Sequence, residues 1–148
     1  RQAAGRVAVI QSSNRRLEWA MAQKRSVFSP NSPKPAGPYS PAIVWDRFVF
    51  VSGQIGIHPQ TRQLPPGGVA AETAQALENL KAVLEAAGSS LSKVLRATVF
   101  LRSMDDFAAM NEVYAKYFPD TPPARTTVAV AGLPLDARVE IDLIAYLD

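Results

Sequence analysis

The stretch Pro122–Leu147, PPARTTVAVAGLPLDARVEIDLIAYL, decides how the chain is read. Two runs alternate with a period of two, as strands with one buried face do, and GLPLD interrupts them. In the second run Val139, Ile141, Leu143, Ala145 and Leu147 share a face, opposite Arg138, Glu140, Asp142, Ile144 and Tyr146. In the first, Thr126, Val128 and Val130 oppose Arg125, Thr127, Ala129 and Ala131. The simplest pairing is an antiparallel hairpin centred in GLPLD, with Arg125 across from Ile144 and Glu140 across from Ala129. Arg125 and Glu140 then share the face turned away from the apolar sets, about four rungs apart.

Working outward, SMDDFAAMNEVYAKYF sets Phe107, Met110, Val113, Tyr114 and Phe118 on one helical stripe, with Ser103 and Asp106 as a capping pair. Pro119, Pro122 and Pro123 end that helix. KVLRATVFLR before it reads as a strand, with Leu95, Ala97, Val99 and Leu101 on one face and Val94, Arg96, Thr98, Phe100 and Arg102 on the other. VAAETAQALENLKAVLEAAG carries Ala74, Leu77, Leu80, Leu84 and Ala87 at helical spacing and stops at Gly88. IVWDRFVFVSGQIGI is a hairpin turning at Trp45-Asp46-Arg47 and ending at Gly53. Prolines at 30, 33, 35, 38 and 41 make the segment ahead of it a loop. The order hairpin, helix, strand, helix, strand, strand predicts an α+β domain with both helices on one face of a mixed sheet.

The hairpin is apolar at nearly every position, as a strand buried on both faces would be. Two helices cannot cover both sides of the sheet. Self-association through the open face follows, with a polar pocket between subunits that would use Arg125 and Glu140. The plainer alternatives are an Arg125 paired with Asp120 or Glu140 and ordinary solvent-side acids at Glu140 and Asp142.

The chain of 148 residues fits one domain. It has no cysteine, so disulfides, thiolate zinc sites and a cysteine nucleophile are excluded. No apolar run approaches the roughly 20 residues of a membrane-spanning helix. The net charge of +3 is concentrated in residues 1–20, where Arg1, Arg6, Arg15 and Arg16 face only Glu18, so residues 21–148 are neutral. A neutral body disfavours phosphate-driven RNA binding. Residues 1–20 read as a transit segment or a non-native leader before Met21, outside a single domain at 21–148. His58 is a turn residue, Asp105 and Asp106 suit a helix N-terminus, and no cluster has metal-ligand spacing.

Taken together, AGPYSPA, VSGQI, NLKAVLEAAGSSLSKVLRATVFL, FAAMNEVYAKYF, PPARTTV and LPLDARVEIDLIA resemble the RidA family, also called YjgF/UK114, from Ser26 to the C-terminus. The resemblance implies a chorismate-mutase-like α+β fold assembled as a homotrimer, with small-molecule sites between subunits. It implies hydrolysis of reactive 2-enamine and 2-imine acids, such as 2-aminoacrylate and 2-aminocrotonate, to 2-keto acids and ammonia, a metabolite damage control reaction. No metal or cofactor is implied.

On this resemblance Arg125 grips the substrate carboxylate and Glu140 positions or activates water. Tyr39, Ser52, Gly53, Asn111 and Thr127 match further substrate-binding positions, Thr127 standing where bacterial members often carry cysteine. The alternatives are an endoribonuclease, an activity also attributed to some family members, and a non-catalytic module for small carboxylates. The compartment expected is the cytoplasm, or the mitochondrion or plastid if residues 1–20 are a transit segment.

Overall fold

The computed structural model describes residues 15–19, an exposed helical turn, and 23–148; most of the 1–20 leader expectation therefore lies outside the described residues. Six strands, β1 (Arg25–Val27), β2 (Ala42–Trp45), β3 (Phe48–Ile55), β4 (Val94–Leu101), β5 (Ala124–Ala129) and β6 (Val139–Tyr146), form one sheet in the order β1-β2-β3-β6-β4-β5. Helices α1 (Gly68–Ala87) and α2 (Phe107–Tyr117) pack on one face. This is the expected α+β architecture.

The core lies between that face and the helices. Leu77, Leu80, Val83 and Leu84 of α1 and Met110 of α2 are fully buried, together with Val49, Val99, Leu101, Val139 and Ile141 of the sheet. Helix α1 stops at Gly88, whose left-handed φ of 88° turns the chain while Ser89 N–H reaches the Leu84 carbonyl at 2.9 Å. The β2–β3 hairpin forms as expected, but β3 runs on to Ile55. Its ladder to β6 slips between Val51 and Gln54, so a bulge falls on Ser52-Gly53.

Two expectations are overturned. β5 and β6 do not form a hairpin: β5 runs parallel to β4, with Ala97 beside Arg125 and Val99 beside Thr127. β6 instead lies between β3 and β4, antiparallel to both. The physical reason lies in the connections. The segment carrying α2 is long enough for a crossover to a parallel neighbour. The link around GLPLD is no tight turn; it is a short 3₁₀ segment, Pro134–Asp136, with Leu135 and Asp136 both left-handed.

The second correction follows. Ala97 and Val99 are fully buried beneath the helices, so Arg125 and Thr127 face the helical side. Glu140 alternates with buried Val139 and Ile141 and faces away from them. Arg125 and Glu140 therefore lie on opposite faces of the sheet.

Smaller departures are local. The β4–β6 ladder shifts between Val94 and Arg96, which turns Val94 inward and leaves Leu95 exposed. Ser103 Oγ accepts the Asp105 N–H at 3.1 Å, but Asp106 does not complete a cap; its carboxylate lies 3.7 Å from Arg138 Nη1. The open face carries Trp45, Phe48, Phe50 and Tyr146 exposed, with the Phe48 and Phe50 rings 6.3 Å apart.

Candidate functional site

The expected site residues gather in two places. The first is a cavity of about 380 Å³ lined by Tyr39, Gly53 and Glu140, with the proline-rich loop on one side and Pro134-Leu135 on the other. The β3 bulge presents Gly53 directly to Glu140. A Cβ at residue 53 would collide with the Glu140 carboxylate, so Glu140 keeps this position only against a glycine. Ser52 is clipped beside it: its N–H donates to the Pro41 carbonyl at 2.9 Å and its hydroxyl to the Ser40 carbonyl at 2.6 Å. The Tyr39 hydroxyl accepts the Ala36 N–H at 3.2 Å, which closes the proline-rich loop on itself where it lines the cavity.

Glu140 is half-buried and makes no ion pair among the described residues. Burial raises its pKa above the usual carboxylate value, and the nearby negative charge of Asp142 raises it further. A carboxylate so placed is more basic than one in water.

The second place is a shallow hollow, also about 380 Å³, on the helical side between α2 and the start of β5. Asn111, Tyr114, Phe118, Pro122 and Arg125 line it. The Arg125 guanidinium stacks 4.7 Å from the Tyr114 ring centroid and 5.8 Å from that of Phe107, with Nη1 4.0 Å from the Met110 sulfur. It has no carboxylate partner among the described residues. Asn111 Oδ1 and the Tyr114 hydroxyl are shielded from solvent and lack hydrogen-bond partners among the described residues. Thr127 follows Arg125 by two residues on the same face. A planar cation on an aromatic shelf, with polar atoms unsatisfied beside it, suits a small carboxylate.

Sequence reasoning missed the supports behind Glu140. Asn79 is buried in α1 and donates to the Ile55 and Ile57 carbonyls at 3.2 and 2.8 Å, holding the end of β3. Buried Glu72 accepts the Arg138 N–H at 2.9 Å and lies 3.9 Å from Arg138 Nε, fixing the start of β6 two residues before Glu140. The signal was present: Glu72, Ala76, Asn79 and Val83 form one buried stripe, and a polar residue on such a stripe needs a partner. Among the described residues no group of His, Asp or Glu could hold a metal ion, and no helix is long and apolar enough to cross a membrane.

A six-stranded mixed sheet with two helices on one face, carrying an acid in a cavity walled by Gly53 and an arginine on an aromatic shelf, defines an α+β class of protein with two candidate small-molecule pockets. Within it, residues 29–147 match the family described as Endoribonuclease L-PSP, and the chain belongs to this RidA/YjgF family. A RutC family protein of Pyrococcus horikoshii is 52% identical over 123 residues, covering 83% of this chain and 98% of that protein. A 2-iminobutanoate/2-iminopropanoate deaminase of Capra hircus is 45% identical, covering 82% and 89%. The crystal structure of E. coli TdcF with bound serine superposes with a TM-score of 0.80 at 38% identity, covering 84% of this chain and 99% of that one.

Proposed function

We propose that the protein hydrolyses 2-imino acids, formed from reactive 2-enamino acids, to 2-keto acids and ammonia in a cleft completed by a neighbouring copy in a homotrimer. The observation that carries this is the split site. Arg125 with its unpartnered neighbours and Glu140 with Gly53 lie on opposite faces of one chain, each offering half of what the reaction needs. The exposed Trp45, Phe48, Phe50 and Tyr146 supply apolar surface for association.

In this reading Arg125 holds the substrate carboxylate through its planar fork, and Tyr39, Ser52, Asn111 and Thr127 fix the rest. Glu140 takes a proton from water as the oxygen attacks the electrophilic imine carbon. The tetrahedral carbinolamine receives that proton on nitrogen; its hydroxyl proton then passes through Glu140 to the same nitrogen as the C–N bond breaks, so the carbonyl forms and ammonia leaves. Positioning and charge complementarity provide the acceleration. Support comes from the deaminase names of relatives at 42–45% identity.

The test is to feed the protein 2-aminoacrylate generated by a dehydratase and follow pyruvate release. Acceleration is expected, and its loss in Arg125→Ala. A protein that binds keto acids without accelerating release is a carboxylate-binding module. RNA cleavage unaffected by Arg125→Ala would place a ribonuclease activity elsewhere on the surface.

A further inference from the structure

The cavity around Glu140 also carries two cations that the imine reaction does not use. Lys34 and Arg62 both line it, from the proline-rich loop and from the turn after β3. Neither has a carboxylate partner among the described residues. Arg62 Nη1 lies 3.5 Å from the Lys34 carbonyl, a long contact that turns the guanidinium towards the Lys34 loop. Two cations without an ion-pair partner among the described residues thus line the cavity that Glu140 enters, and an anion held by both would be favoured there.

The backbone points the same way. Arg62 is held at a left-handed φ of 57°, which a glycine would adopt without steric cost. The turn is firm: Arg62 N–H reaches the His58 carbonyl at 2.9 Å, and His58 N–H reaches the Gln63 carbonyl at 2.9 Å. Asp46, Thr121, Leu135 and Asp136 share this conformation, but Arg62 alone of the five is a cation, and it lines the cavity from its turn.

We infer that Lys34 and Arg62 form a second anion subsite, which selects 2-imino and 2-keto acids bearing a carboxylate on the side chain. The inference rests on the proposed small-acid reading of this cleft and deepens it. The methyl or ethyl side chain of a 2-iminopropanoate or 2-iminobutanoate leaves both cations idle. A side-chain carboxylate meets them, whereas a cationic side chain is repelled. Hydrolysis is unchanged in its balance: water adds to the imine carbon, and ammonia and the dicarboxylic keto acid leave.

The experiment measures calorimetric binding of 2-oxoglutarate and 2-oxobutanoate to the full-length protein at low and high salt. The wild type is expected to favour 2-oxoglutarate by about tenfold at low salt, less at high salt, the scale of two partly exposed ion pairs. Lys34→Ala/Arg62→Gly is expected to bring that ratio near one; the glycine relieves strain, so folding is not at risk. Lys81→Ala/Lys116→Ala removes the same charge from the helices and is expected to leave the ratio standing. No preference in the wild type, or an equal loss in both double variants, overturns the subsite. Imines made in situ from aspartate and alanine by amino-acid oxidases separate the two readings. Hydrolysis of the alanine-derived imine alone overturns the subsite and spares the deaminase. A salt-sensitive binding preference without hydrolysis of either imine sustains the subsite and sinks the deaminase.

Discussion

Gly53 and Glu140 show how one missing side chain makes room for a functional one. Because a Cβ at 53 would occupy the carboxylate's place, Gly53→Ala must push Glu140 aside. A fall of about 100-fold in kcat/KM is expected, the scale of a misplaced catalytic group, while thermal unfolding moves little. An unchanged kcat/KM would mean that Glu140 does not work from this position. The acid's titration gives a second test. Glu140 acts as a base only when ionised, so activity rises as pH climbs through its raised pKa. Asp142→Asn removes the like charge, favours ionisation and lowers that pKa, so the acidic limb of the pH–rate profile moves to lower pH. A limb that stays put excludes Glu140 as its origin. The same shift opposes stability. Its folded pKa exceeds the unfolded one, so the folded state holds the proton more tightly. Stability contributed at acidic pH is therefore lost as pH rises through the window between the two values. Glu140→Gln is thus expected to lose activity yet raise Tm at neutral pH, by only roughly 2 °C because the side chain is partly exposed and its charge is screened by solvent.

At the scale of elements, the supports behind the acid matter more than its neighbours on the strand. Glu72 binds the Arg138 N–H from inside the core, so Glu72→Ala leaves a backbone donor unpaired and a small void. A loss of about 2–3 kcal/mol is expected by denaturant unfolding. Glu72→Gln keeps an acceptor and should recover most of it; if it recovers none, the carboxylate's charge towards Arg138 matters more than the hydrogen bond. These elements also show what the sequence could reveal. The helices were legible because Leu77, Leu80 and Leu84 in the first, and Met110 and Tyr114 in the second, stand at helical spacing, and Gly88 ends the first. The faces of β6 were legible because Val139, Ile141 and Leu143 alternate with charges. The partner of β5 was not. Period-two alternation reports a strand's faces without naming its neighbour, and β5 is exposed or half-buried throughout, so its pattern could not say which face met the helices. Arg125 lies on the helical side because Tyr114 and Phe107 offer it a shelf, a tertiary fact with no local signal. The short β1 was hidden by its length of three residues.

At the scale of the whole molecule, the opposed placement of Arg125 and Glu140 makes assembly part of the chemistry proposed. If the cleft forms between copies, disrupting the open face disables residues that are themselves intact. Phe50→Glu places a charge among Trp45, Phe48 and Tyr146, and is expected to yield a monomer by light scattering with the circular dichroism of the folded chain. Its imine hydrolysis should fall with its oligomeric state. A sharper test uses two inactive proteins. Arg125→Ala and Glu140→Ala, unfolded and refolded together in equal amounts, assemble at random. In a cleft that takes Arg125 from one copy and Glu140 from the next, each half is intact with even odds, so about a quarter of the sites regain both groups. Activity near that fraction is expected from the mixture, and none from either variant refolded alone. If both groups must come from one chain, no mixture restores a complete site and the activity stays at zero. The same refolded samples must be trimeric, since complementation without assembly would leave the two faces of a single sheet with no way to meet.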